Sequence, residues 1–214
     1  MTTTEQPTPW PDEVLAAASG TASPEGPRGG ARFGALHTAQ RRFNDLLSGA
    51  VPSEDLCERI TTALAGFADE LADMQVREGL RWDGWRGDLP GRGHPLLPPY
   101  TITGETDSTL HGRVRFTRFF LGGNGAAHGG TQQLVFDDML GRCVNSFQAG
   151  VARTAYLKVN YRRITPIDVD LDVEVSVDRV EGRKRWCSGR MTDPDGNVVA
   201  DCEALFLALL PGQA

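Results

Sequence analysis

The pattern of hydrophobic and polar positions predicts two helices in the first half of the chain. Residues 34–48 carry apolar side chains at helical spacing, and Gly49 is suited to end that helix. Ser53 is suited to cap a second helix, because two acidic residues follow it in the first turn. The second helix has an apolar stripe that repeats every three or four residues: Leu56, Ile60, Leu64, Phe67, Leu71 and Met74. We interpret this stripe as a packing surface rather than as a cofactor groove.

The two predicted helices are flanked by segments without a regular pattern. Residues 1–31 are rich in Thr, Pro, Gly, Ser and Ala and are expected to form a flexible tail. Residues 79–99 are dense in Gly, Pro and Trp and are interpreted as a linker. The chain therefore divides into a tail (1–31), a helical extension with its linker (32–98) and a C-terminal domain (99–211).

The second half of the chain has the pattern of a sheet with one helix. Strict alternation of polar and apolar residues over 168–178 predicts a half-buried strand. One helical segment, residues 131–147, interrupts the strands. The other predicted strands cover residues 112–121, 154–161, 183–192 and 198–209, with a turn at 193–197. An antiparallel sheet with a single helix against one face is an α+β fold.

Charge and composition narrow the possible partners of this 214-residue chain. Twenty-two basic and 28 acidic residues give a net charge of 22 − 28 = −6, which argues against nucleic acid as a partner. The longest apolar run, residues 204–210, is far shorter than the ~20 residues that span a bilayer, and the N-terminus does not resemble a signal peptide. Four scattered cysteines without a CxxC spacing indicate reduced thiols. We therefore expect a cytoplasmic protein without a membrane partner.

A glycine-rich turn precedes the single helix of the second half. Residues 121–130 contain five glycines in ten positions, directly between a predicted strand and the helix. Glycine permits positive φ and close approach of a ligand, and a helix start offers unpaired N–H groups that can polarise a carbonyl oxygen. The spacing is neither a Walker A motif nor a GxGxxG motif in a βαβ unit. A tight strand-to-helix turn without a ligand is the alternative interpretation.

Two adjacent acidic residues, Asp137 and Asp138, lie two turns into this helix. Neighbouring positions are about 100° apart around a helix, so one of the two carboxylates must point towards the sheet or a subunit boundary. A carboxylate near a helix-start oxyanion site is suited to act as a general base or nucleophile in acyl transfer. The alternative is that both acids are simply solvated.

The sequence from His128 to Asp137, HGGTQQLVFD, resembles the HGG-x6-D signature of PaaI-like hotdog-fold thioesterases. Residues 154–166 resemble the strand that follows the helix in that family, and the resemblance covers about residues 99–211. It implies a hotdog fold, an antiparallel sheet wrapped around one central helix, here with an N-terminal helical extension. It also implies hydrolysis of an acyl-CoA or acyl-carrier thioester without a cofactor, coenzyme A being part of the substrate.

The resemblance assigns a role to each residue that matches the signature. Asp137 would be the catalytic carboxylate, and Thr154 would orient it and the attacking water. The backbone N–H of Gly129, or of Gly130 beside it, would polarise the thioester carbonyl, and His128 would support the turn. The family further implies a homodimer or a dimer of dimers in which the site is shared between subunits. The apolar stripe of the second helix would then lie over the sheet or the dimer surface.

Substrate-binding residues are less well matched. Many relatives carry Asn six residues before the His, where this chain has Gly122, so either Asn124 serves from a shifted turn or that contact is missing. Three basic residues on or next to the following strand are candidates for contact with the phosphates of coenzyme A: Lys158, Arg162 and Arg163. Asn160 on the same strand is a further candidate substrate-binding residue. A solvated strand face is the alternative interpretation.

Two other functions fit the same fold. One is a hotdog dehydratase or hydratase, although the His motif that such enzymes use is missing. The other is a non-catalytic acyl-CoA-binding or assembly protein, since a fold by itself assigns no function. A metal site is not expected, because the remaining histidines, His37, His94 and His111, have no second ligand at a suitable spacing.

Overall fold

The computed structural model describes residues 28–148, 150–210 and 212–213. Most of the predicted tail, residues 1–27, lies outside the described residues. The first helix, α1 (Gly30–Ser48), begins four residues before the predicted start at residue 34. The earlier start has a physical cause, since the Arg86 guanidinium binds the carbonyl oxygens of Arg28 (2.7 Å) and Gly30 (2.9 Å) and thereby fixes the entry of the helix.

The second predicted helix forms with the predicted cap. Helix α2 (Glu54–Ala72) begins after Ser53, whose Oγ accepts a hydrogen bond from the Leu56 N–H at 3.3 Å. None of its residues is buried, and it does not pack along α1. The predicted packing of its apolar stripe is therefore not made within this protomer.

The segment interpreted as a linker contains two short 3-10 turns, Glu78–Leu80 and Pro90–Gly93, and packs against α1. Arg41 of α1 donates hydrogen bonds to the carbonyl oxygens of Leu97 (2.9 Å), His94 (3.2 Å) and Pro90 (3.3 Å). One arginine thus fixes three carbonyl groups of a segment that has no regular backbone pairing of its own.

The C-terminal part is a single antiparallel sheet with one helix on its face. Its six strands are β1 (Thr101–Glu105), β2 (Thr109–Arg115), β5 (Ala152–Tyr161), β6 (Asp170–Glu181), β7 (Lys184–Thr192) and β8 (Val198–Ala208). They follow the order β1-β2-β6-β7-β8-β5 in the sheet, so that β1 and β5 are the two edges. A separate small hairpin pairs β3 (Leu121–Gly123) with β4 (Ala126–Ala127). The predicted α+β fold is confirmed.

The strand predicted over residues 112–121 is wrong at both ends. Strand β2 begins at Thr109 and ends at Arg115, and a 3-10 turn (Arg118–Phe120) follows it. Phe116 and Phe120 are both buried although they lie outside the sheet, which is why the apolar pattern continues past the end of the strand. Strand β1 lies within the assigned C-terminal domain but was not predicted.

The core lies between the sheet and helix α3 (Gly129–Phe147). The buried apolar side chains of α3 repeat at helical spacing: Val135, Phe136, Met139, Leu140, Cys143 and Val144. They contact the inner face of the sheet, where each fully buried aliphatic or aromatic side chain contributes ~1.5–3 kcal/mol of transfer free energy. Among the described residues, no helix is long and apolar enough to cross a membrane.

Candidate active site

The start of α3 is built by a tight hairpin turn. Between β3 and β4, Asn124 (φ 48°) and Gly125 (φ 74°) both adopt the left-handed conformation that such two-residue turns require. The hairpin is fixed on both sides, because the Ala127 N–H donates to the Thr165 carbonyl and the His128 N–H donates to the Phe120 carbonyl, each at 2.8 Å. The chain therefore enters α3 from a defined position.

His128 caps the helix. Its Nδ1 accepts a hydrogen bond from the Gly130 N–H at 3.1 Å, and its carbonyl oxygen accepts one from the Thr131 hydroxyl at 2.7 Å. The Gly130 N–H is therefore already engaged, whereas the Gly129 N–H has no hydrogen-bond partner in the described part of the chain. The sequence leaves open whether the N–H of Gly129 or that of Gly130 donates to the thioester carbonyl. Of these two groups, the Gly129 N–H is the free one.

Tyr161, at the end of β5, lies against the same helix start. A Cβ atom at Gly129 would lie 2.9 Å from the Tyr161 hydroxyl oxygen, so only glycine permits this contact. The Gln133 side-chain amide donates to that oxygen at 2.9 Å. Sequence reasoning did not select Tyr161, since alternation within β5 indicates its face but not its position along α3.

Asp137 and Thr154 are in direct contact. The Thr154 hydroxyl donates to Asp137 Oδ1 at 2.8 Å, and both residues are exposed. The pairing of β5 with β8 shifts register between Thr154 and Tyr156, so Ala155 is an extra residue in the strand. A β-bulge of this kind changes the direction of neighbouring side chains and often occurs beside active sites. Asp137 on α3 and Thr154 on β5, both assigned to the site by the resemblance, are thus brought together.

Asp138 faces a different way and belongs to an ion pair. Its carboxylate accepts hydrogen bonds from the Arg92 guanidinium, with Nε at 3.0 Å, and from the Tyr100 hydroxyl. Burial opposes the charge on Arg92, but the Asp138 carboxylate outweighs that effect and raises the pKa of Arg92. Burial, followed by the charge of Asp138, raises the pKa of Tyr100. The expectation that one of the two acids points inward holds for Asp138, whereas Asp137 remains accessible.

The departure from the family pattern at Gly122 has a steric explanation. A Cβ atom at that position would lie 2.8 Å from the Cα of His128, so the hairpin leaves no room for an asparagine side chain there. Asn124 lies exposed at the tip of the same turn, and its side chain makes no hydrogen bond with the described residues. It stays a predicted substrate contact.

The polar residues of β5 and its end that are predicted to bind substrate lie apart from Asp137. Lys158 and Asn160 lie on the face of β5 opposite to Leu157 and Val159, which pack against the core. Their side chains and that of Arg162 pair with acids of β8: Lys158 with Glu203 (2.6 Å), and Asn160 (2.7 Å) and Arg162 with Asp201. The hydrogen bond from Arg162 lowers the pKa of Asp201. Arg163 is exposed just beyond the strand, and substrate binding by all four stays a prediction.

The residues around α3 therefore provide two chemical groups. One is an accessible carboxylate oriented by a hydroxyl, at Asp137 and Thr154. The other is a free backbone N–H at the positive end of a helix, at Gly129, where it can stabilise a developing negative charge. Among the described residues, no group of His, Cys, Asp and Glu side chains is arranged to hold a metal ion.

Comparison with known proteins identifies the fold. A crystal structure of protein RHA08564, a thioesterase superfamily protein, shares 28% sequence identity with a TM-score of 0.71. The match covers 87% of this chain and 94% of that one, so it includes most of the helical extension. The chain has the hotdog fold of thioesterase superfamily proteins. The resemblance inferred from the residues between His128 and Asp137 is thereby confirmed.

Other relatives in the superfamily match over part of the chain. The acyl-coenzyme A thioesterase THEM4 of Bos taurus is 30% identical over 89 residues, which is 41% of this chain and 35% of that protein. The chain thus matches about a third of the length of that curated relative. The PaaI protein of E. coli is 16% identical over 50% of this chain and 82% of its own, with a TM-score of 0.48. No family model matches the sequence.

Proposed function

We propose that the chain is an acyl-CoA thioesterase in which Asp137 activates water. The observation that supports this most directly is the hydrogen bond of 2.8 Å from the Thr154 hydroxyl to an exposed Asp137 carboxylate. In this proposal Asp137 accepts a proton from water while the water oxygen attacks the thioester carbonyl. Attack by the carboxylate itself, with later hydrolysis of the anhydride, is the alternative route. Both routes convert water and thioester into carboxylic acid and free thiol. In the general-base route the thiolate takes the proton that Asp137 accepted, whereas in the anhydride route the thiolate leaves first and takes a proton from the water that hydrolyses the anhydride.

The oxyanion donor in this proposal comes from a second copy of the chain. Gly129 and Asp137 are eight residues apart on one helix, a separation of ~12 Å along its axis. A general base and an oxyanion donor must each come within roughly 3 Å of the reacting atoms, which these two groups of one protomer cannot do together. We therefore infer that Asp137 and Thr154 of one protomer act with Gly129 of its partner.

The sheet provides a place for that partner. Strand β5 carries Thr154 and forms one edge of the sheet, so its outer backbone groups are available for pairing. Tyr156 and Tyr161 of this strand are 42% and 49% exposed, which is a large apolar area for an edge. Pairing of β5 with a second β5 would cover this edge and bring the two α3 helices side by side. A homodimer is thus the smallest assembly with a complete site, and a dimer of dimers would contain two such units.

Acyl-CoA is the substrate class that the comparison favours. The curated relative with 30% identity is named an acyl-coenzyme A thioesterase, and the proposed chemistry uses only a carboxylate, a hydroxyl and a backbone N–H. The proposed mechanism therefore has no step that requires a metal or a redox cofactor. Arg163 and Asn124, both exposed, are the predicted phosphate and carbonyl contacts whose side chains are free to reach a substrate.

The decisive test is turnover of a panel of acyl-CoAs, with the released thiol detected by a chromogenic thiol reagent. We expect the Asp137→Asn variant to lose on the order of 1,000-fold in kcat/KM, because the amide can neither accept the proton nor attack. Asp172→Asn is the matched control, since Asp172 is an exposed acid on the outer face of the sheet. Equal turnover by Asp137→Asn and the parent protein would refute the assignment.

The protein's own cysteines do not obscure the steady release of thiol in this assay. Cys57 is the exposed thiol among the four cysteines and reacts once with the reagent, so its signal is a single step rather than a steady rate. Burial raises the pKa of Cys143 to about 11 and those of Cys187 and Cys202 to about 12, which slows their reaction.

The same acyl-CoA panel separates the two alternative functions. Tight acyl-CoA binding without turnover would select the binding protein, and hydration of an enoyl-CoA would select the hydratase.

A further inference from the structure

Helix α2 exposes an apolar face that its own protomer does not cover. Leu64, Phe67 and Leu71 are between 51% and 62% exposed, and none of the residues of the helix is buried. Their spacing of three or four residues puts them on one side of the helix, where they form a continuous stripe. Met74, two residues past the end of the helix, is 67% exposed. A continuous exposed apolar surface on a folded protein marks an interaction site.

Helix α1 carries a second exposed apolar stripe. Leu36, Leu46 and Leu47 are 62%, 59% and 45% exposed, and the exposed Ala39 and half-buried Phe43 lie between them at helical spacing. The opposite side of α1 is the one that contacts the segment of residues 79–99, through Arg41. Two consecutive helices thus present apolar stripes that do not pack on each other.

The charges of the two helices are complementary. Helix α2 has five acidic residues and one arginine, for a net charge of 1 − 5 = −4, whereas α1 has three arginines and one aspartate, for 3 − 1 = +2. Pairing of α2 with a second α2 would bring like charges together. Residues 1–27 have four acidic and no basic residues, so their charge also opposes contact with α2. Helix α1 thus matches α2 in both pattern and charge.

The end of α1 is fixed beside the glycine-rich turn that precedes α3. Asp45 near the end of α1 accepts a hydrogen bond from the Phe119 N–H at 3.0 Å, and the residues that follow Phe120 form the glycine-rich turn. Residues 49–53 connect this point to α2, and Val51 among them is fully exposed. Pro52 favours an extended residue before it, which hinders a tight return of α2 onto its own α1.

We propose that α2 is exchanged between two copies of this chain and packs along α1 of the partner. Two-fold symmetry makes the contact twice, so each protomer provides one acidic helix and one basic helix. A helix of 19 residues is ~28 Å long, and two such contacts suit an interface of standard size. Exchange of an identical element is a low-cost route to a dimer when the connecting segment is short.

The first test uses the double variant Phe67→Glu/Leu71→Glu in the full chain, with sedimentation equilibrium as the measurement. We expect the dimer dissociation constant to rise on the order of 100-fold, because two large apolar contacts are removed from the centre of the stripe. Thr62→Glu/Ala65→Glu adds the same two charges on the opposite side of α2 and is expected to leave the constant unchanged. An unchanged constant in Phe67→Glu/Leu71→Glu would overturn the proposal.

The second test distinguishes exchange from packing within one protomer. Leu36→Glu/Leu46→Glu damages α1 and leaves α2 intact, and the two double variants are mixed in equal amounts with different affinity tags. In an exchanged dimer the mixed pair regains one intact contact, so it forms with a lower dissociation constant than either variant alone. A mixed dimer whose dissociation constant is no lower than that of either double variant alone would contradict exchange, even if each double variant dimerises more weakly than the unsubstituted protein.

Two controls exclude other occupants of the stripe. Deletion of residues 1–27 is expected to leave the dissociation constant unchanged, and a tighter dimer after deletion would indicate that this segment covers α2 instead. Cosedimentation with phosphatidylcholine vesicles is expected to be absent, and vesicle binding that Phe67→Glu/Leu71→Glu abolishes would overturn the proposal in favour of a lipid surface. Thioester hydrolysis is not a readout in any of these experiments, so their outcome is independent of the proposed activity.

Discussion

At the scale of residues, the candidate site depends on a few contacts that a short motif encodes. His128 caps α3 through its own side chain, Gly129 leaves room for Tyr161, and Asp137 reaches Thr154. Each contact needs one residue type: an imidazole acceptor, a residue without Cβ, and a carboxylate with a hydroxyl partner. The contact between Asp137 and Thr154 is the one whose removal separates orientation from chemistry.

Replacement of Thr154 should therefore lower activity only when the substituting residue lacks a hydroxyl group. Thr154→Val keeps the shape but cannot donate to Asp137, and we expect kcat to fall ~10- to 100-fold while KM changes little. Thr154→Ser retains the donor and should keep kcat within a few-fold of the parent protein. Steady-state kinetics on the best substrate of the panel measure both. Equal losses in the two variants would mean that the side-chain methyl group, and not the hydroxyl, is required.

The motif explains which site residues were predictable. The roles proposed for His128, Gly129, Asp137 and Thr154 come from the resemblance to the thioesterase signature. Spacing alone predicts only that a cap, a helix start and a carboxylate eight positions further lie on one helix. Tyr161 was missed because its contact with Gly129 depends on how β5 is placed along α3, which no local pattern specifies.

At the scale of elements, the segment of residues 79–99 connects α1 to α3. Arg92 is in a left-handed conformation, with φ at 57°, and reaches across to Asp138 of α3. Asp138, the residue next to the proposed catalytic Asp137, is therefore held by a segment that precedes the sheet in the chain. The sequence indicates an acid that must point inward but contains no signal for its partner, since Arg92 lies 46 residues away among Gly and Pro.

Loss of this ion pair should destabilise the protein measurably. In Arg92→Met the Asp138 carboxylate, 13% exposed, loses its cationic partner, and we expect the free energy of unfolding to fall by ~2 kcal/mol. Arg115→Met is the matched control, because its pair with Asp170 is more than half exposed on both sides and should contribute less than ~1 kcal/mol. Urea denaturation of both variants provides the comparison. A loss in Arg92→Met no larger than that in Arg115→Met would show that the pair is not structural.

At the scale of the whole molecule, α1 and the segment of residues 79–99 contact the C-terminal part of the chain through Phe119 and Asp138. The predicted helices and the order of sheet and helix were correct because each rests on a local period of 3.6 or 2. The packing of α1 on residues 79–99 was not predictable, since it depends on single arginines that bind carbonyl groups more than 40 residues away. This packing also buries His37, which lies edge-on to Phe33 at a centroid distance of 5.9 Å.

Burial of His37 should make the stability of the whole molecule sensitive to acid. Burial, and then the positive charge of Arg41, lower the pKa of His37 below its usual value. As the pH falls below about 6.5, His37 of the unfolded chain binds a proton that the folded chain resists, so the unfolded state is favoured. Burial also lowers the pKa of His94, which acts in the same direction. Each histidine contributes a slope of at most ~1.4 kcal/mol per pH unit.

The pH dependence of unfolding tests this coupling between the extension and global stability. We expect the free energy of unfolding of the parent protein to decrease from pH 7.5 to pH 5, and that of His37→Phe to decrease less, because Phe cannot be protonated and fits beside Phe33. The buried Nε2 of His37 has no hydrogen-bond partner among the described residues, so no hydrogen bond is lost at that atom. The hydrogen bond between His37 and the Gly93 backbone is lost in the variant at every pH, which lowers stability without creating a pH dependence. Thr38→Ala, at the exposed neighbouring position, should retain the parent slope. If His37→Phe keeps the full pH dependence, the acid sensitivity arises elsewhere and His37 is not part of the global folding unit.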